Sequence, residues 1–89
     1  MTIRKRMRAA GRVQGVFFRD SVRRAAEAAG VAGSAANLAD GTVEVVFEGP
    51  EEAVERLVEL VRRGPGHAEV DRLDVADEEP RGERGFSVH

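Results

Sequence analysis

An α+β fold is what this sequence predicts: a βαββαβ sandwich in which two helices pack on one face of a mostly antiparallel sheet. Two observations carry the prediction. Apolar residues alternate with period two in some segments and recur with helical period in others, and the segments interleave as β-α-β-β-α-β with a short strand added at the end. Each helical segment has a single apolar stripe, and two such stripes must cover one face of one sheet.

Ile3 to Ala10 reads as the first strand, with Ile3, Met7 and Ala9 on one face and Arg4, Arg6 and Arg8 on the other; Lys5 interrupts the apolar face. From Phe18 to Ala29 the pattern is helical. Phe18, Val22, Ala25, Ala26 and Ala29 form one stripe, and Gly30 ends the helix at a C′ position. Ser34 to Leu38 is a weak second strand, and Asp40-Gly41 is a hairpin-turn pair. Thr42 to Glu48 follows as a strand with Val43, Val45 and Phe47 on one face. Gly49-Pro50-Glu51-Glu52 opens the second helix: proline suits a first turn, and both glutamates face the positive end of the helix dipole. Val54, Leu57, Val58 and Val61 form its stripe, Arg62 and Arg63 suit its last turn, and Gly64-Pro65-Gly66 stops it. Val70 to Ala76 is a further strand with Leu73 and Val75 facing inward. The run "DEEPRGER", Asp77 to Arg84, is expected to be a solvated loop, and Phe86 to Val88 a short last strand. This order is the split-βαβ, ferredoxin-like arrangement. Its second sheet face is expected to be partly wet, which suits the arginines of the first strand.

Composition narrows the function. The 89 residues make one domain, residues 1–89, with a modest core and little room for a cofactor cavity. A net charge of −2 gives no general attraction to nucleic acid or to an anionic membrane. There is no cysteine, which excludes disulfides, thiolate zinc sites and cysteine nucleophiles. No apolar run approaches the roughly 20 residues of a membrane helix. The basic start "MTIRKRMR" is followed by no apolar segment and is not a secretory signal. The expectation is a cytoplasmic monomer without cofactor or metal.

The chemistry concentrates in "GRVQGVFFRD", Gly11 to Asp20. Glycines at both ends of Arg12-Val13-Gln14 allow a tight concave path. Successive backbone N–H groups in such a loop can converge on one centre as an anion-binding nest, and the positive end of the following helix reinforces it. Arg19 lies on the first turn of that helix, and its planar fork suits two oxygens of a phosphate better than a lysine would. The loop is no Walker motif, since no Lys-Ser/Thr follows the second glycine, and it does not match G-x-G-x-x-G. An ordinary strand-to-helix connection with one solvated arginine fits the same residues, and the residues alone leave both readings open.

"GRVQGVFFR" resembles the phosphate-binding segment of the acylphosphatases, whose pattern is an apolar residue, any residue, then G-x-V-Q-G, an apolar residue, and x-F-R. The second segment of that family is matched by "GSAANLADGTVEVVFEG", with Gly33, Asn37, Gly41, Val43 and Gly49 at the right spacing. The resemblance spans the whole chain, including the end segment "GFSVH". It implies the ferredoxin-like fold already reached and the hydrolysis of carboxyl-phosphate mixed anhydrides to carboxylate and inorganic phosphate. Carried over residue by residue, it implies that Arg19 binds the phosphate, that Asn37 holds the attacking water, and that the backbone N–H groups of Gln14, Gly15, Val16, Phe17 and Phe18 complete the cradle. Such a mechanism needs no metal, because an acyl phosphate already has a good leaving group and positioning with charge neutralisation suffices.

Two positions depart from the family pattern. Ser34 stands where an aromatic is usual and Ala9 where a larger branched residue is, and an unfilled aromatic site costs roughly 3–5 kcal/mol. Asn37 alone also reads as a turn residue, and His67 and His89 read as solvated. The same fold could also bind a phosphoryl ligand without turnover, serve a carbamoyl-phosphate enzyme, or act as an RNA- or protein-binding module. Against the RNA reading, no set of stacking aromatics accompanies the strand arginines.

Overall fold

The computed structural model describes residues 1–89, the side chain of Val16 excepted. β1 (Thr2–Arg12) is longer than its apolar pattern suggests, and a register shift falls between Ala10 and Gly11 where it pairs with β4. Then come α1 (Val16–Ala28), β2 (Ala32–Asn37), β3 (Val43–Pro50), α2 (Glu51–Arg63), β4 (Glu69–Glu78) and β5 (Phe86–Val88). The sheet order is β4-β1-β3-β2-β5, antiparallel except for the parallel pair β2–β5. The predicted ferredoxin-like α+β sandwich, with its extra end strand, is the fold observed.

The core follows the periodicity. Met7, Ala9, Val43, Val45 and Phe47 from the sheet meet Phe18, Val22 and Ala26 of α1 and Val54, Leu57, Val58 and Val61 of α2, all buried. Phe86 of β5 packs on the edge of this cluster, its ring 6.1 Å from that of Phe47. Glu51 and Glu52 occupy the first turn of α2, Arg62 and Arg63 the last, as the dipole favours. Pro50 lies one residue earlier than expected, at the cap.

Several expectations need correction. Ala29 ends the α1 stripe as an exposed cap residue, because the helix stops at Ala28. Val75 points to the helix layer beside Met7 but remains 39% exposed, since β4 is an edge strand. Asp77 and Glu78 belong to β4 rather than to a loop. Ser34 pairs with Val46 on the face away from the helices, so the missing aromatic leaves no hole in the main core.

The largest correction concerns the open face. Arg4 is only 3% exposed and is held by Glu78 (2.9 Å), Glu48 (3.0 Å) and Glu83 (3.3 Å). Arg6 pairs with Glu78 (2.7 Å) and Glu44 (2.8 Å). Glu48, 5% exposed, also accepts the backbone N–H groups of Arg81 (2.8 Å), Gly82 (2.8 Å) and Glu83 (3.0 Å). A buried charge is tolerated only when paired and hydrogen-bonded throughout, and here both ions are. The segment after Glu78 stays exposed as expected, but Glu48 pins it by three N–H groups over Arg4, so the face expected to be partly wet is covered there and open at Arg8.

Candidate active site

The site begins where β1 gives way to α1. Gly11 has φ +128°, and a Cβ there would lie 2.2 Å from the carbonyl oxygen of Glu69, so only glycine lets β1 and β4 stay paired through the bulge. Val13 is fully buried and anchors the loop to the core. The Gln14 amide donates to the Thr42 carbonyl (3.1 Å), which ties the loop to the β2–β3 turn. Gly15 caps α1 with φ +102° and ψ +175°, and no side chain caps that end. Space is not the constraint at Gly15, since a Cβ there would meet nothing within 4 Å; the left-handed φ is. The N–H groups of the first helical turn have no intrahelical acceptor. They and the helix dipole point to the same end, a receptive arrangement for an anion.

Arg19 is half-buried on the first turn of α1. Its Nη1 donates to the main-chain oxygen of His89 (2.7 Å), and Nε makes a long contact to the Gly15 carbonyl (3.5 Å). Among the described residues no Asp or Glu side chain pairs with it. Its neighbour Asp20 is taken up by Arg23 and Arg24, and hydrogen bonding from Arg23 holds the Asp20 carboxyl below its ordinary pKa. With Nη1 on His89 and Nε near Gly15, the guanidinium keeps its remaining donors for an outside anion.

Asn37 is exposed at the end of β2, and its backbone N–H donates to the same His89 oxygen (3.3 Å). The following turn is built by Asp40, which accepts both the hydroxyl (2.6 Å) and the N–H (3.0 Å) of Thr42. Those hydrogen bonds, the hydroxyl's first, also lower the Asp40 pKa. The structure therefore brings the Gln14 loop, Arg19 and Asn37 to one end of the sheet. It does so through two main-chain oxygens, those of Thr42 and His89.

His89 is the residue that sequence reasoning missed. Its ring is exposed and contacts Ser87 Oγ (3.1 Å), as a solvated residue's would, but its main-chain oxygen joins Arg19 to Asn37. A main-chain acceptor leaves no mark in residue type; only the strand pattern of "GFSVH" hinted that the segment returns to the sheet. His67 lines a hollow of about 360 Å³ with Gly11, Arg12, Gln14, Phe18 and Ala68, on the flank of the loop.

A small α+β sandwich with a glycine-bounded, uncapped helix start, and with the arginine of its first turn joined to Asn37 through one main-chain oxygen, is a ferredoxin-like domain whose helix start is a receptive arrangement for an anion. Comparison with known proteins gives the particular family. Residues 5–88 match the family model described as Acylphosphatase. An acylphosphatase of Rubrobacter xylanophilus is 54% identical, covering 98% of this chain and 80% of the relative. One of Thermococcus kodakarensis is 50% identical over 97% of this chain and 94% of the relative. The crystal structure of acylphosphatase from Bacillus subtilis superposes with a TM-score of 0.92 at 36% identity, covering 98% of each chain. The chain belongs to the acylphosphatase family. A binding module without turnover is not favoured by these relatives.

Proposed function

We infer that this chain hydrolyses acyl phosphates to a carboxylate and inorganic phosphate, with the loop Gln14 to Phe18 and Arg19 holding the phosphoryl group and Asn37 orienting the water. The observation that carries this reading is the meeting of Arg19 and Asn37 on one main-chain oxygen, beside the uncapped start of α1. Family membership supplies the reaction; the geometry supports the roles.

In the bound state the N–H groups of Gln14, Gly15, Val16, Phe17 and Phe18 face the phosphoryl oxygens. One donor of Arg19 stays on His89, which fixes the plane of the guanidinium, and the others reach phosphate. Charge on the phosphoryl oxygens is neutralised without a mobile group, so little reorganisation is needed as the reaction proceeds. The Asn37 amide is neutral and serves by placing water, not by taking its proton. Entropy lost in fixing that water is met on binding, ahead of the bond change.

The protein is read as a single-domain monomer acting in the cytoplasm. One apolar cluster unites the elements, and the large exposed hydrophobics, Met1, Phe17 and Val75, are scattered over the chain. No helix is long and apolar enough to cross a membrane. The engagement of Arg4 and Arg6 by carboxylates supports the reading that nucleic acid is no partner. The test is release of phosphate from benzoyl phosphate in the presence of EDTA. Turnover is expected, and its absence in a folded preparation overturns the proposal.

A further inference from the structure

We propose that Phe17 sorts substrates by their acyl group, favouring aromatic and long aliphatic acyl phosphates over acetyl phosphate; this rests on the acyl-phosphate reading above. Phe17 is 85% exposed, while its neighbour Phe18 is 3% exposed and Phe47 fully buried. The fold gains nothing from its ring. Among the described residues the one aromatic pair is Phe47 with Phe86, so Phe17 has no ring partner either.

Its position gives the ring a use. Phe17 is the second residue of α1, within the turn whose free N–H groups face the anion. The Cα–Cβ bond of a helical residue tilts toward the helix N-terminus, so the Phe17 ring is carried toward the cradle end rather than down the helix. The cradle recognises only the phosphoryl half of the substrate. The acyl half is left outside it, and among the described residues the exposed large apolar side chain on the first turn of α1 is Phe17. An apolar acyl group covers part of the ring and removes both surfaces from water, whereas an acetyl group is too small to do so.

The experiment measures kcat/KM for benzoyl, hexanoyl and acetyl phosphate in the wild type, Phe17→Leu and Phe17→Ser. The readout is the benzoyl-to-acetyl and hexanoyl-to-acetyl ratio in each protein. Any shared change in phosphate binding cancels in that ratio, and so does the intrinsic reactivity of each substrate when variants are compared. One-sided contact is weaker than a closed pocket, which discriminates one methylene by about tenfold or more. We expect both ratios to fall about three- to tenfold in Phe17→Ser and less in Phe17→Leu, with the change mainly in KM. Ratios that stay within error of wild type in Phe17→Ser overturn the proposal and leave the acylphosphatase reading standing. A wild type that hydrolyses none of the three overturns both.

Discussion

At the scale of single residues, the roles proposed for Arg19 and Asn37 divide binding from chemistry. Arg19→Lys keeps a charge but loses the planar fork that can hold His89 and phosphate together. KM for an acyl phosphate is expected to rise and kcat to fall; steady-state kinetics near wild type would reduce Arg19 to a solvated helix residue. Asn37→Ala should behave differently. Its backbone N–H still reaches His89, and the loop with Arg19 is untouched, so inorganic phosphate should inhibit as well as before. The loss should fall on kcat, by about 10²- to 10³-fold if the amide acts as a positioning group. A folded Asn37→Ala protein with unchanged kcat leaves the water to another group. Both residues were candidates from the sequence because their spacing matches two family motifs, and the structure brings them to one main-chain oxygen. His89 was not, because what it offers is a main-chain oxygen, which every residue possesses.

At the scale of elements, the open sheet face is closed by charge. Glu48 and Glu78 are both held at about 2. For Glu48 the N–H of Arg81 is the main cause, offset in part by burial and aided by Arg4 and the N–H groups of Glu83 and Gly82. For Glu78 the main cause is hydrogen bonding from Arg6, then from Arg4. A carboxyl with a depressed folded pKa binds protons more readily when unfolded, so stability increases with pH across its range. The contribution is complete above the ordinary value of 4.5 and is lost as pH falls toward about 2. Urea midpoints should therefore drop between those limits in the wild type. In Glu48→Gln the unfolding free energy should be lower by about 3–5 kcal/mol above pH 5, as for a broken buried pair, with the gap from wild type closing as pH falls and the midpoint less sensitive to pH. A midpoint that is flat from pH 5 to pH 3 would count against this account. None of this network was readable in the sequence, since Arg4 and its partners are brought together by register and lie 44, 74 and 79 positions apart. The helix stripes and the strand faces were readable because they depend on neighbours three, four or two residues away.

At the scale of the whole molecule, the site is assembled from remote parts: a loop after the first strand, a turn after the second, and the last strand at the sheet edge. β5 pairs only with β2 and is steadied by Phe86 against the core. An anion bound between these parts should hold them together, and because the unfolded chain has no such cradle, binding raises stability by mass action. At tenfold excess over Kd, inorganic phosphate should contribute about 1.4 kcal/mol. For a domain of this size that is a rise in Tm of about 6–11 °C. Sodium chloride at equal ionic strength controls for screening, to which the ion pairs of the open face also respond. Arg19→Ala should abolish most of the phosphate-specific rise, and Asn37→Ala should retain it, since on the proposed roles one loses a phosphate donor and the other a water donor. Equal melting in phosphate and chloride for the wild type would mean that the uncapped start of α1 holds no anion. An equal rise in all three proteins would locate the phosphate elsewhere on the molecule.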